Sequence, residues 1–217
     1  KDSADQRSGR AGRLAAGHSY RLWSKGTQAQ LADFRIPELL DADLTSLVLD
    51  MLVWGKKDIR SMTWLNPPPV HALVSAEKVL EAIEGLDQGN LTSHGKELHQ
   101  VPAHPRIAHM LLYAKKANLL PLATDIAAIL EEKVPLASQS GVDLNLRIEG
   151  LRRSRGQVNG AFAYKKIDKV AGQYRKLLSV LPENSPVDPW ATGLLLAYAY
   201  PERIAAARPG NNAQFQL

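Results

Sequence analysis

The sequence contains no cysteine, and it has no apolar stretch of the length that a membrane helix needs. Without cysteine the chain can form neither a disulfide nor a thiolate site for a metal or for redox chemistry, which is typical of the reducing cytoplasm. The longest apolar runs, such as residues 194–197, fall far short of the ~20 residues of a membrane-spanning helix. We therefore expect a cytoplasmic globular protein that makes no membrane contact.

The motifs that hold a nucleoside triphosphate and its magnesium ion are also missing. No G-x-x-x-x-G-K-[ST] loop is present, because the Gly-Lys pairs at 55–56 and 95–96 have no glycine at the required upstream position, and no Asp-Glu-x-His motif occurs. The chain begins at Lys1 rather than at a methionine or a signal peptide, so we expect it to be a piece of a longer protein. Alone, this piece should not hydrolyse ATP.

Positive charge is present in excess, but it is unevenly distributed. The net charge of the whole chain is +5. Residues 1–30 carry six basic against two acidic side chains, and residues 143–181 carry nine against three. Such basic segments attract polyanions through counterion release, although a solvated helix face gives the same pattern. The charge alone does not decide between these two interpretations.

The most informative segment is residues 6–13, which read Gln-Arg-Ser-Gly-Arg-Ala-Gly-Arg. An arginine guanidinium is always charged and can donate to two phosphate oxygens at once. Gly9 and Gly12 lack a Cβ atom and let a ligand or another backbone approach closely. The segment therefore predicts polyphosphate binding, and a solvated basic run is the alternative.

Residues 6–13 resemble motif VI of the superfamily 2 helicases of the DEAH-box type. Seven further stretches are similar to the HrpB-type branch of bacterial helicases, and they lie at residues 35–38, 43–44, 54–55, 64–68, 91–95, 104–111 and 197–205. The resemblance covers nearly the whole chain and is weakest between residues 134 and 160. It implies that the chain is a C-terminal fragment of an ATP-dependent helicase that acts on a single-stranded nucleic acid, RNA rather than DNA.

The same resemblance implies the roles of individual residues. Arg10 and Arg13 match the arginine fingers, which would reach the γ-phosphate of ATP held on a missing N-terminal RecA-like domain. Gln6 matches a glutamine near the γ-phosphate and the attacking water, and Arg7 would support the motif internally. ATP and Mg²⁺ are the implied cofactors of the full-length enzyme, and neither is expected to bind to the fragment.

Hydrophobic periodicity predicts a mainly α-helical chain. Two helices and a hairpin at residues 33–93 predict a winged-helix-like domain, and an all-α bundle follows at 94–200. The helicase resemblance implies that residues 1–32, with a helix and a strand at 17–23, are the end of a second RecA-like domain, that the bundle is ratchet-like, and that residues 201–217 are the start of a following domain. In the winged-helix part, a helix capped by Asp43 ends at Gly55. A second helix follows Pro69, with Gly85 as its terminator, and a hairpin turns at residues 89–90.

The helical bundle is predicted from four further apolar patterns. Helices begin at Pro105 and Pro121, a long helix covers residues 160–181, and Asp188 caps a last helix. The side chains predicted to face inward include Val70, Leu73, Val74, Leu80, Ile126, Ala127, Leu130, Leu177, Leu181, Trp190, Leu194 and Tyr198.

Two other groups of residues are candidate sites. Six basic side chains are candidate phosphate contacts for a single strand, namely Arg152, Arg153, Arg155, Lys165, Lys166 and Lys169. A mobile basic loop at residues 152–155 is the alternative. Four histidines recur every fifth residue, at 94, 99, 104 and 109, but the prolines at 102 and 105 interrupt the helix that a ligand pair needs. We therefore predict surface and capping histidines and no metal site.

A second hypothesis for the whole chain is a winged-helix nucleic-acid-binding regulator without ATPase activity. It accounts for the two helices, the hairpin and the positive net charge. It leaves residues 6–13 unexplained, and its recognition helix at 69–85 would be acidic and apolar rather than rich in base-reading side chains.

Overall fold

The computed structural model of the chain describes residues 1–34, 36–132, 141–155, 162–208 and 211–216. Its α-helices are α1 (Asp2–Ala11), α2 (Lys25–Gln30), α3 (Thr45–Val53), α4 (Val70–Ala82), α5 (Ser93–Gln100), α6 (Pro105–Lys116), α7 (Leu120–Glu131), α8 (Leu144–Ser154), α9 (Phe162–Leu177) and α10 (Pro189–Ala199). Two antiparallel hairpins pair β1 (Leu86–Asp87) with β2 (Asn90–Leu91), and β3 (Ala206–Arg208) with β4 (Asn211–Gln216). The mainly α fold is thus confirmed. None of the helices described here is long and apolar enough to cross a membrane.

The first 34 residues form an exposed unit in which α1 has no buried residue. The strand predicted at residues 17–23 does not form; that segment is extended but unpaired. A strand of a parallel sheet needs neighbouring strands to bond its amides, and the described residues supply none here. α2, which no sequence pattern predicted, begins where the Ser24 hydroxyl accepts a hydrogen bond from the Thr27 amide at 3.0 Å. Arg35, in one of the helicase-like stretches, lies outside the described residues.

A first hydrophobic core joins α3, α4, the β1–β2 hairpin and α5. Its buried members are Leu44, Val48, Leu49, Ile59, Leu73, Ala76, Leu80, Ile83, Leu86, Leu98 and Ala108. The predicted cap of α3 is shifted by one residue: Leu44 is the N-cap, and the preceding Asp43 carboxylate accepts a hydrogen bond from the Thr45 amide at 2.8 Å. Of the residues predicted to face inward on α4, Leu73 and Leu80 are buried together with Ala76, whereas Val70 and Val74 are exposed.

The predicted β1–β2 hairpin forms, but its turn lies at residues 88–89, one residue before the predicted 89–90, and both turn residues have positive φ. Gln88 has φ +47° and Gly89 has φ +75°, the left-handed pair that a two-residue hairpin turn requires. The residue that ends α4 differs from the prediction. Glu84, at φ +60°, takes the left-handed conformation expected of Gly85, and the Gly85 amide then bonds the Leu80 carbonyl at 2.7 Å. Leu98 and Ala108 belong to this core, although the predicted domain boundary falls at residue 93.

A second hydrophobic core joins α6 to α10. Its buried members are Ile107, Met110, Leu111, Ala114, Leu122, Ala123, Ile126, Ala127, Ala128, Ile129, Ile148, Leu151, Ile167, Ala171, Tyr174, Leu195 and Ala199. The face of α10 was predicted wrongly: Thr192, Leu195 and Ala199 point inward, whereas Trp190 is 87% exposed. The other exposed residues that the apolar patterns placed inward are Leu130, Leu177, Leu181 and Leu194.

Two helices of the bundle differ in extent from the prediction. α9 ends at Leu177 rather than near 181, where Ser179 takes a left-handed φ of +53°. Residue 160, where this helix was predicted to begin, lies outside the described residues. α8 covers a region without a predicted helix, and the Asp143 carboxylate caps it through the Asn145 amide at 2.8 Å. The basic run at 152–155 is therefore the end of a helix, not a loop.

Candidate nucleotide site

The helicase-like segment lies on and just after α1. Asp2 and Asp5 occupy the first turn of this helix and Arg10 occupies the last, the arrangement that the helix dipole favours. Gln6, Arg7 and Arg10 are all exposed. Because Arg10 follows Gln6 by four residues, their side chains share one face of the helix.

Gln6, Arg7 and Arg10 line one open pocket of about 340 Å³ together with Asp2 and Ser3. Arg13 is absent from this pocket because it follows the end of the helix. Neither Arg10 nor Arg13 has an ionic or hydrogen-bonding partner within the described ranges. The pocket thus gathers a carboxamide and two guanidinium groups that can all bind phosphate oxygens.

The placement of Arg7 corrects one expectation. The helicase resemblance implied an internal supporting role for this residue, but it is exposed and lines the same pocket as Gln6 and Arg10. It also borders a larger cleft of about 680 Å³ between α1 and the residues that follow it. In this part of the chain Arg7 is a pocket residue and has no internal partner.

Known proteins resemble this chain along almost its whole length, although no family model matches it. The ATP-dependent RNA helicase HrpB of Escherichia coli (strain K12) is 34% identical over 215 residues, 99% of this chain and 24% of that protein. The probable ATP-dependent RNA helicase DHR2 of Saccharomyces cerevisiae is 33% identical over 129 residues, 59% of this chain and 18% of that protein. A crystal structure of Escherichia coli DEAH/RHA helicase HrpB matches 96% of the chain and 24% of that structure, at 34% identity and a TM-score of 0.67.

The chain is a homologue of the DEAH-box RNA helicases. The predicted resemblance of the chain to HrpB-type and DEAH-box helicases is confirmed. The chain spans about a quarter of the length of HrpB. The alternative of a winged-helix regulator is not favoured by these relatives.

In this helicase homologue, the six basic residues predicted to contact nucleic acid do not form one surface. Arg152 is buried and Arg155 is half-buried, whereas Arg153 on the same helix is exposed. On α9, Lys165, Lys166 and Lys169 are also exposed. Lys166 forms an ion pair of 2.8 Å with Glu132. Because Arg152 and Arg155 point into the bundle, we no longer propose them as phosphate contacts.

Their partner is Asp125, a carboxylate of α7 that is 0% exposed. Arg152 Nε donates to Asp125 Oδ2 at 3.2 Å, and Arg155 also bonds this carboxylate. Arg175 Nη1 from α9 donates to Oδ1 at 3.3 Å. Three helices, α7, α8 and α9, are therefore tied together through one buried acid.

A second carboxylate, Asp168, extends this network. It accepts from Arg155 Nε at 2.8 Å and from Arg175 Nη2 at 3.0 Å. Partial burial opposes its ionisation, but the two guanidinium groups outweigh that effect and hold the pKa of Asp168 below its ordinary value. No sequence pattern predicted this network, although a lone Asp125 within the apolar stretch of α7 was a usable signal.

The histidines fill structural positions. His104 caps α6, since its Nδ1 accepts from the Arg106 amide at 3.3 Å. His94 Nε2 and His109 Nδ1 are 2.8 Å apart. Burial, and then the nearby His94, lower the pKa of His109 to about 4. Over the described ranges there is no group of three or more side chains that could hold a metal ion.

Proposed function

We propose that this chain is the motif VI end and the accessory region of an ATP-dependent RNA helicase. Arg10 and Arg13 act as arginine fingers toward the γ-phosphate of ATP, and Gln6 orients the attacking water. The observation that carries this proposal is the pocket on α1, where Gln6 and Arg10 converge with no internal charge partner within the described ranges.

The chemistry follows from the fixed positive charge of these side chains. Negative charge develops on the oxygens of the transferred phosphoryl group, and a guanidinium aimed at them lowers the barrier. Each arginine can donate two hydrogen bonds in one plane, which also fixes the orientation of the phosphate. Bound ATP and Mg²⁺ supply the reacting phosphoryl group and neutralise its charge, and a P-loop and an acidic motif absent from this sequence would hold them.

The remainder of the chain is proposed to border the channel for single-stranded RNA. The relatives are described as RNA helicases, which favours RNA over DNA. The residues from 33 to 93 would be the winged-helix-like domain, those from 94 to 200 the ratchet-like bundle, and those from 201 to 217 the start of another domain. Four exposed basic side chains would contact phosphates in this channel, namely Arg153, Lys165, Lys166 and Lys169.

The test is RNA-dependent ATP hydrolysis by the full-length helicase carrying Arg10→Ala or Arg13→Ala. We expect kcat to fall by about 10³–10⁵, because an arginine finger contributes that much to phosphoryl transfer. The thermal unfolding midpoint should stay unchanged, because both side chains are exposed and unpaired within the described ranges.

Arg60→Ala is the matched control, since Arg60 is an exposed arginine outside the motif. It should keep the unmodified kcat. A full-length Arg10→Ala or Arg13→Ala protein with normal turnover would contradict the assignment. The isolated chain should show no ATP hydrolysis at all.

A further inference from the structure

The extended segment after α1 runs antiparallel along that helix and contacts it at three successive points. Gly17 lies against the end of the helix, where a Cβ atom would collide with the Ala11 carbonyl. The Ser8 hydroxyl donates to the Ser19 hydroxyl at 2.9 Å. These contacts continue with an ion pair between Arg21 and Asp5.

The spacing of these contacts follows the periods of the two elements. Alternate residues of the extended segment point to the same side, so positions 17, 19 and 21 all face the helix. Their partners at positions 11, 8 and 5 are three residues apart and lie on neighbouring turns. The neighbouring Tyr20 and Leu22 are largely exposed.

This contact face of α1 is opposite to the phosphate-binding face. With 3.6 residues per turn, each residue advances by roughly 100° around the helix axis. Asp5 and Ser8 are then within about 60° of each other, whereas Gln6 and Arg10 lie roughly 100–160° away from them. The pocket residues accordingly include Gln6 and Arg10 but not Asp5 or Ser8.

We propose that Arg21 and Ser19 are positioning residues: they hold α1 by the face opposite to the pocket and so direct Arg10 toward the phosphate. This inference rests on the arginine-finger role proposed above. Within the described residues the contacts of α1 are largely polar: Ser8 and Asp5 along this face, and at its start the Asp2 amide, which donates to the Asp33 carbonyl at 3.0 Å. Orientation matters because a small misplacement of a catalytic group costs a large part of its effect.

The ion pair offers a direct test, because its charges can be reversed and then exchanged. In the full-length helicase, Arg21→Asp faces Asp5 with a like charge and should lower kcat roughly three- to tenfold. The KM for ATP should change by less than about twofold, since the finger acts mainly in the transition state. The exchanged protein, Asp5→Arg with Arg21→Asp, should recover most of the original kcat.

Arg60→Asp is the control for a reversed surface charge and should leave kcat unchanged. Arg21→Gln removes the ion pair without adding repulsion, and it replaces Arg21→Asp if that protein folds poorly. An unchanged kcat in Arg21→Gln or Arg21→Asp overturns the proposal, and so does a reduced kcat that the charge exchange fails to restore. If Arg10→Ala also keeps normal turnover, the finger assignment itself is wrong; if only the Arg21 variants do, the positioning role alone is wrong.

Discussion

Two groups of arginines in this chain look alike in sequence and differ completely in structure. Arg7, Arg10 and Arg13 recur every third residue near the start, and all three are exposed. Arg152 and Arg155 also stand three residues apart, but they join Arg175 around a carboxylate that is fully buried. Short spacing between arginines therefore does not tell which group faces solvent.

The difference lies in the presence of a buried acid. A guanidinium leaves water only where a carboxylate and further acceptors replace its hydration, and Asp125 provides this in the bundle. Arg152 Nη1 also donates to the Ser185 carbonyl at 2.7 Å. Neither Arg10 nor Arg13 forms an ion pair with an acid of the described residues, and both side chains stay in solvent.

The largest effect is expected from removing the negative charge of Asp125, which holds the three arginines inside the bundle. Asp125→Asn leaves three guanidinium groups in the bundle with one carboxylate fewer, and we expect the free energy of unfolding to fall by about 3–5 kcal/mol. Urea unfolding of the chain, followed by its helical circular dichroism, measures this decrease. Asp87→Asn makes the same change at an exposed acid and should stay within about 0.5 kcal/mol. Equal stability of the two variants would mean that the buried network contributes nothing.

Another buried basic side chain, His109, sharpens the comparison because it forms no ion pair with an acid of the described residues. Its pKa is lowered to about 4, chiefly by burial and then by His94, while Glu84 opposes and Lys116 adds to the shift. Protonation therefore favours the unfolded chain. The stability held at neutral pH should begin to fall as the pH drops below the ordinary histidine pKa of about 6.5, and this decrease is complete once the pH has passed 4.

The size of this decrease is on the order of 3 kcal/mol from the shift of the His109 pKa. Urea unfolding of the chain at several pH values between 7 and 4 should show it. His109→Gln should lack that part of the pH dependence, whereas the exposed His71→Gln should retain it. Identical pH profiles for the unmodified chain and His109→Gln would contradict the assignment.

The sequence predicted local features well and non-local pairings poorly. The apolar patterns located α6, which begins at Pro105, and α7, which begins at Leu120, one residue before the predicted Pro121; the hairpin turn at 88–89 likewise lies one residue before the predicted 89–90. The face of α10 was wrong, because nearly every residue of that helix is apolar and packing alone decides which side is buried. A strand at 17–23 could not form without partner strands, which no local pattern supplies.

The candidate site was likewise predictable only where its residues lie close together in the sequence. Gln6 and Arg10 share a helix face, so their motif fixes their proximity. The contact of Asp5 with Arg21 joins residues whose separation has no regular period, and the contact of Asp125 with Arg175 spans even more of the chain. Such pairs depend on how elements pack, which a single sequence does not specify.

The smallest effect is expected on RNA binding. In α8, an arginine that faces the core is followed by one that faces solvent. Arg153 points outward beside the inward Arg152, and with Lys165, Lys166 and Lys169 it forms the exposed basic set. Changing these four to Ala should weaken binding of single-stranded RNA to the chain. The slope of log affinity against log salt should also become shallower by about 0.7 for each phosphate that the variant no longer neutralises. Filter binding at several salt concentrations measures both quantities.

A control protein separates a local surface from overall charge. It carries Ala in place of four exposed basic residues elsewhere in the chain, namely Lys56, Arg60, Lys78 and Lys96. Because both proteins have the same net charge, the control should keep the original salt slope if RNA binds along α8 and α9. Equal slopes for the two proteins would assign the binding to overall charge rather than to this surface, and the outward Arg153 would then be a solvated side chain.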